Sequence, residues 1–262
     1  MVIVRLIALM LRVLALAAAC FIFSPGALAV PDEIQVYTDD LDDPGRFGLE
    51  LHVNYALNGA KEPAYPGEML SNHRLQVTPE FSYGLSKTLE AGLYLPAAMS
   101  SDGSLYGNGL RLRLKFVAPH EQDARFFCGL NVEIGSSARR VSDSRTGLEL
   151  RPIIGYHDER WLVSFNPILD TDLSSGVSNA PKFEPALKVR RKVSQNVSAG
   201  LEYYGEYGAA HDLLPANERA HYLYAVTDVD LKDHALNLGL GHGRGPGSDQ
   251  WVAKAIIAFP FK

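Results

Sequence analysis

Phe47-Gly48-Leu49-Glu50-Leu51-His52-Val53-Asn54-Tyr55-Ala56-Leu57 alternates large apolar residues with small or polar ones. Successive side chains of a strand point to opposite faces. A period of two therefore describes a β-strand with one greasy face and one face carrying Glu50, His52 and Asn54. The alternation recurs, and predicts twelve strands at roughly 46–57, 73–84, 88–97, 108–117, 125–135, 146–156, 160–168, 182–192, 196–206, 220–229, 234–242 and 250–261. Connectors after the odd strands are long and rich in Gly, Ser, Asn, Asp and Pro, as in 58–72 and 169–181. Those after the even strands are short, as in 85–87, 157–159 and 193–195. An even number of strands with short turns at one end and longer loops at the other is the pattern of a transmembrane antiparallel up-and-down β-barrel, an all-β fold. A soluble sandwich has no reason to sort its loops by parity.

Parity also assigns faces. Leu110, Leu112, Leu114 and Phe116 fall on the lipid side, as do Phe126, Cys128, Leu130 and Val132. The opposite parity places Glu50, His52, Arg74, Glu80, Glu90, Arg111, Arg113, Lys115, Glu133, Glu149, Arg151, Lys188, Arg190 and Glu202 toward a lumen, with Glu184 and Lys254 in the same phase. Aromatic residues near strand ends (Tyr55, Tyr83, Tyr94, Tyr156, Trp161, Tyr207, Tyr222, Phe261) are the expected interfacial girdles. Pro79, Pro152, Pro167, Pro185 and Pro260 oppose the scheme, because proline removes a ladder hydrogen bond. Pro79 and Pro152 sit least comfortably, and at least one of those strands is open to misplacement.

The chain begins with a targeting pattern. Arg5 and Arg12 supply positive charge, Leu6 to Phe23 is a nearly unbroken apolar run, and Ala27-Leu28-Ala29 offers a small-x-small cleavage site. Residues 1–29 are thus read as a signal peptide cleaved after Ala29, 30–44 as an acidic segment and 45–262 as the barrel. Removing the two arginines leaves 23 basic against 30 acidic residues, a balance that argues against a nucleic-acid partner. Cys20 leaves with the signal and Cys128 stays alone, so no internal disulfide forms. The acidic segment holds Asp32, Glu33, Asp39, Asp40, Asp42 and Asp43 without a base, and a solvated tail is the leading expectation. A calcium site and a lumen plug are the alternatives.

Catalytic chemistry is sparse. A lipid hydrolase would need a serine within reach of an oriented histidine; His73, His211 and His242 with Ser71 or Ser248 are the candidates, but no G-x-S-x-G elbow is present. His157-Asp158 and His211-Asp212 read as turn pairs, and no motif of metal-ligand spacing occurs. Gly239 to Gly247 fits neither a dinucleotide nor a phosphate loop, and reads as a hairpin loop. The reading is therefore no enzyme, no cofactor and no metal. Arg111, Arg113 and Lys115 are three like charges on one strand face. Either neighbouring acids neutralise them in a filled lumen, or they line a water-filled pore.

Two stretches carry a resemblance. Phe81-Ser82-Tyr83-Gly84-Leu85-Ser86-Lys87-Thr88-Leu89-Glu90-Ala91-Gly92-Leu93 resembles a turn of the meta-pathway phenol-degradation family of outer-membrane transporters. Asn237 to Gly241 with Asp249 to Ile256 is similar to that family's last hairpin. The resemblance implies import of small, often hydrophobic or aromatic solutes and no catalytic residues; Lys262 after the final Phe261 departs from it. The expected function is a channel or transporter in the outer membrane, with the bilayer, the barrel-assembly machinery and a small solute as partners. A non-transporting structural or lipid-active barrel is the alternative, and a soluble periplasmic β protein the third reading.

Overall fold

Among the described residues the alternation builds sixteen strands: β1 (Phe47–Asn58), β2 (Leu75–Ser86), β3 (Leu89–Tyr94), β4 (Ala97–Met99), β5 (Leu105–Gly107), β6 (Gly109–Val117), β7 (Phe126–Ser137), β8 (Thr146–His157), β9 (Trp161–Asp172), β10 (Lys182–Lys192), β11 (Val197–Glu206), β12 (Gly208–Ala209), β13 (Asp212–Leu213), β14 (Ala220–Asp230), β15 (Ala235–Arg244) and β16 (Trp251–Pro260). The structure, a computed structural model, describes residues 33–121, 123–232 and 234–260. The expected signal segment with its cleavage site, and Phe261 and Lys262, lie outside the described residues.

β3 and β4 make one interrupted stave, β5 and β6 another, and β12 and β13 form a small hairpin at the long-loop rim. Twelve antiparallel staves remain among the described residues. β1 pairs β2 from Phe47↔Tyr83 to Tyr55↔Leu75, and β16 from Gly48↔Pro260 to Asn58↔Trp251, which closes the barrel. Closure matters because hydrocarbon offers backbone groups no partner, so a spanning sheet cannot have an edge.

The facing follows parity. Leu112 is 53% exposed beside Arg113 at 7%, and Ile154 is 55% exposed beside Ile153 at 0%. Leu110, Leu114, Phe126, Leu130, Leu201, Leu223 and Leu238 extend the exposed apolar band around the wall. Soluble monomers rarely show a contiguous apolar surface above a few hundred Å²; a belt of this kind fits lipid. Two of the girdle aromatics are corrected. Tyr94 and Tyr222 are buried inside the barrel, because each shares the phase of the inner face, with Glu90 and Tyr224 respectively.

The prolines are accommodated without displacing a strand. Pro79 lies opposite Leu51, and its carbonyl accepts the Leu95 N–H at 3.0 Å. The β8–β9 ladder lapses between Leu150↔Leu169 and Ile154↔Phe165, the stretch that contains Pro152 and Pro167. Pro167 is in turn opposite Pro185 of β10. The missing N–H donors thus collect on neighbouring staves.

The largest departure concerns the acidic segment. Residues 33–44 are not a solvated tail. The chain enters at the short-turn end, where Pro44 bridges Gly84 and the Gly45 N–H donates to the Gly84 carbonyl at 2.8 Å. It then runs up the lumen, with Glu33, Ile34, Val36 and Tyr37 all buried. A Cβ on Gly84 would stand 2.4 Å from the Asp43 carbonyl oxygen, so the close passage of this segment requires glycine there. The physical reason for the correction is complementarity: wall lysines and arginines point into the lumen, and an acidic segment with free backbone carbonyls satisfies them.

Candidate functional site

The lumen is organised around Tyr37. Its backbone N–H donates to Asn166 Oδ1 at 2.7 Å, and its carbonyl accepts from Asn166 Nδ2 at 3.1 Å and Ser164 Oγ at 2.5 Å. Its hydroxyl is bonded to that of Tyr94 and donates to Glu133 Oε1 at 3.0 Å. Its ring is surrounded by the cationic heads of Arg151, Lys115 and Arg113, at 4.3, 5.0 and 5.6 Å from the centroid. Each such contact contributes on the order of 0.5–2 kcal/mol, more when desolvated. One residue, through its backbone and its side chain, therefore ties the segment to β3, β6, β7, β8 and β9.

Three ionic clusters flank it. Arg113 Nη2 bridges Glu80 Oε1 at 2.8 Å and Glu90 Oε1 at 2.5 Å. Glu90 also accepts the Asp42 N–H at 2.5 Å, while Lys115 Nζ donates to the Asp40 carbonyl at 2.6 Å. His52 Nε2 lies 3.0 Å from Glu80 Oε2, and Gln35 of the segment donates to Glu50 at 3.0 Å. In the second cluster Arg151 grips Glu149 through Nε (2.7 Å) and Nη2 (3.1 Å) and donates to the Gln35 carbonyl at 3.1 Å. Arg111 lies 3.6 Å from Glu133. In the third, Glu202 is ion-paired with Lys254 and, at 3.2 Å, with Lys188, and Lys254 also donates to the Ile34 carbonyl at 2.9 Å. Asp228 collects Lys188 at 3.1 Å and Arg190 at 3.4 Å.

Thirteen of the fourteen residues proposed from sequence, all except Arg74, belong to these clusters. Arg74 is buried at the long-loop rim, where Nη1 donates to the Met69 carbonyl at 3.0 Å and secures the loop after β1. The basic ladder of β6 is thus compensated, yet not by wall acids alone, since the inserted segment takes Lys115, as it takes part of Arg151 on β8. Sequence reasoning passed over Tyr37, Ser164, Asn166, Asp228 and Asn131, whose Nδ2 donates to Glu133 Oε1 at 2.8 Å. Asp228 had the inner-face parity and was legible; Tyr37 is legible only as the one aromatic residue between Val30 and Pro44.

The segment does not fill the barrel. Beside it lies a cavity of about 390 Å³ reaching Glu50, Glu80, Glu90, Arg113 and Lys115. A second, of about 510 Å³, adjoins the first along Glu50, Asp230 and Ala258 and reaches Lys188, Arg190, Glu202 and Asp228. A smaller one of about 120 Å³, toward the long-loop end, is bounded by Arg111, Glu133, Glu149, Asp170 and Asp172. The Ser-His pairs considered for hydrolysis are differently engaged. Ser71 Oγ donates to Asp249 and accepts from the Ala60 N–H at 2.8 Å, while His73 Nδ1 lies 3.2 Å from the Tyr55 hydroxyl. His242 packs edge-on against Trp251.

Neither a protein-family profile nor a curated protein matches the chain. Solved structures do. An outer membrane channel from Pseudomonas putida F1 superposes with a TM-score of 0.58 at 14% identity, over 87% of this chain and 100% of the other. The KdgM porin gives 0.55 at 7% identity and the NanC porin 0.53 at 12%, each over 82% of this chain and 99% of its own. The chain has the fold of outer-membrane β-barrel channels.

Proposed function

We propose that this chain is an outer-membrane channel for small solutes whose lumen is narrowed by residues 33–44. The observation that carries the reading is that the lumen is occupied by a segment entering from one end, with adjoining cavities beside it, and not packed shut by wall side chains. A wall that needed only rigidity would gain more from apolar packing, since buried ion pairs seldom add stability over well-packed hydrophobic groups. The charged inner residues are candidates for solute contact, and the segment for control of passage. The proposed chain division is a signal peptide (1–29), this segment (30–44) and the barrel (45–262), with delivery by the barrel-assembly machinery. The likeness of 81–93 and of the last hairpin to the meta-pathway phenol-degradation transporters favours small aromatic or hydrophobic solutes.

Proteoliposome swelling tests it. Vesicles carrying the refolded mature protein, placed in isotonic solutions of a small zwitterion, a benzoate-sized anion and a benzylamine-sized cation, should swell faster than empty vesicles with at least one of them. Swelling equal to that of empty vesicles for all three would favour the structural barrel without transport.

A further inference from the structure

Glu50 and Glu80 are directly opposite each other on β1 and β2, and His52 is the next inward residue on β1. Like charges directly across a ladder repel, so the pairing calls for a cation between them. His52 Nε2 lies 3.0 Å from Glu80 Oε2 and 3.7 Å from Glu50 Oε2, and the three ligand atoms lie within 4.8 Å of one another. Around a tetrahedral ion with bonds near 2.1 Å, ligand atoms stand about 3.4 Å apart. The two histidine distances bracket that value. We propose that Glu50, His52 and Glu80 bind a first-row divalent cation of the zinc class within the lumen, a site independent of whether the barrel conducts.

The surroundings suit it. One imidazole and two carboxylates form a mixed N/O set that favours such metals over calcium, which takes six to eight oxygens. Three protein ligands leave one position open, as in non-structural zinc sites. Glu50 and Glu80 border the cavity of about 390 Å³, which has room for a water in that position. That cavity is lined by six Asp or Glu residues against three Lys or Arg, so it has anionic charge to spare for a cation. Arg113 holds Glu80 by its other oxygen, Oε1, at 2.8 Å, and orients the carboxylate from behind, the role that residues outside the ligand shell play in metal sites. Gln35 donates to Glu50 Oε2 at 3.0 Å, so the site touches the inserted segment as well as the wall.

The test is calorimetric titration of ZnCl2 into the refolded mature protein in detergent, with crystals soaked in the same salt and measured at the zinc edge. The expected result is one equivalent bound, at least a tenfold loss in affinity in His52→Gln and in Glu50→Gln, and less than a threefold change in Asp230→Asn, which alters the charge of the same cavity without removing a ligand. An anomalous peak should stand about 2 Å from His52 Nε2 and both carboxylates. Absence of zinc binding to the wild type, affinity unchanged in the first two variants, equal loss in all three, or a peak elsewhere would overturn the assignment. Should a variant fail to fold, the anomalous map of the wild type decides alone.

Discussion

Tyr37 and Asn166 exchange two hydrogen bonds, N–H to Oδ1 at 2.7 Å and Nδ2–H to the carbonyl at 3.1 Å, so a side chain of β9 pairs with the inserted backbone as a neighbouring strand would. Asn166 is fully buried. Replacing it by leucine leaves the Tyr37 N–H unmatched and its carbonyl with Ser164 Oγ alone, and an unmet buried group costs about 1–3 kcal/mol. Asn166→Leu should therefore loosen the segment while the wall persists. Limited proteolysis by a protease added at the short-turn end should cut near Val36–Leu41 at least fivefold faster than in the wild type, with the compact gel mobility of the barrel retained. An unchanged cutting rate would show that the Tyr37 clasp is not what holds the segment.

Leu112 and Arg113 are adjacent and face opposite ways, so they report facing from both sides. Arginine at Leu112 places a charge on the lipid face near mid-strand and should cost about 2–4 kcal/mol in unfolding from bilayers. Arg113→Gln leaves Glu80 and Glu90 without the cation that bridges them. Breaking a buried pair in this way costs about 3–5 kcal/mol, and the triple variant with Glu80→Gln and Glu90→Gln should recover most of it. Denaturant midpoints in vesicles measure all three. Tolerance of Leu112→Arg would mean that the apolar face is not against lipid.

How much of this was legible follows from the range of the information. Parity is local: Glu50 with His52 and Arg111 with Arg113 declare the inner face two residues at a time, and all twelve staves lie close to their expected spans. The two girdle errors came from judging Tyr94 and Tyr222 by nearness to a strand end and not by phase. The inserted segment was a matter of long range. Asp39, Asp40, Asp42 and Asp43 look like a tail that seeks water; their partners, and those of Tyr37, are set by barrel closure, with Asn166 separated from Tyr37 by 129 residues. Likewise the Glu50–His52–Glu80 group has no metal-motif spacing, because β1 and β2 bring it together across a long loop.

The turn between β8 and β9 gives a pH dependence outside the membrane span. Asp158 accepts the backbone N–H groups of Arg160 and Trp161, each at 2.8 Å, and these bonds hold its carboxyl below the usual aspartate range. A lowered folded-state pKa adds stability that is present above the ordinary value of about 3.9 and disappears as pH falls through the folded value. The denaturant midpoint of the wild type should thus exceed that of Asp158→Ala at pH 7, and the gap should shrink steadily below about pH 4. A gap that is constant from pH 7 to pH 2.5 would contradict the role of the ionised carboxylate.

The central claim is that residues 33–44 narrow a lumen that is otherwise able to conduct. Its most direct measurement is single-channel conductance in planar bilayers, comparing protein refolded from residue 30 onward with protein refolded from residue 42 onward. The shorter chain lacks the Tyr37 clasp and keeps Pro44 at the rim. The account predicts small or intermittent steps for the longer chain and steady conductance several-fold larger for the shorter one. Equal conductance of the two folded forms, or none from either, would contradict it.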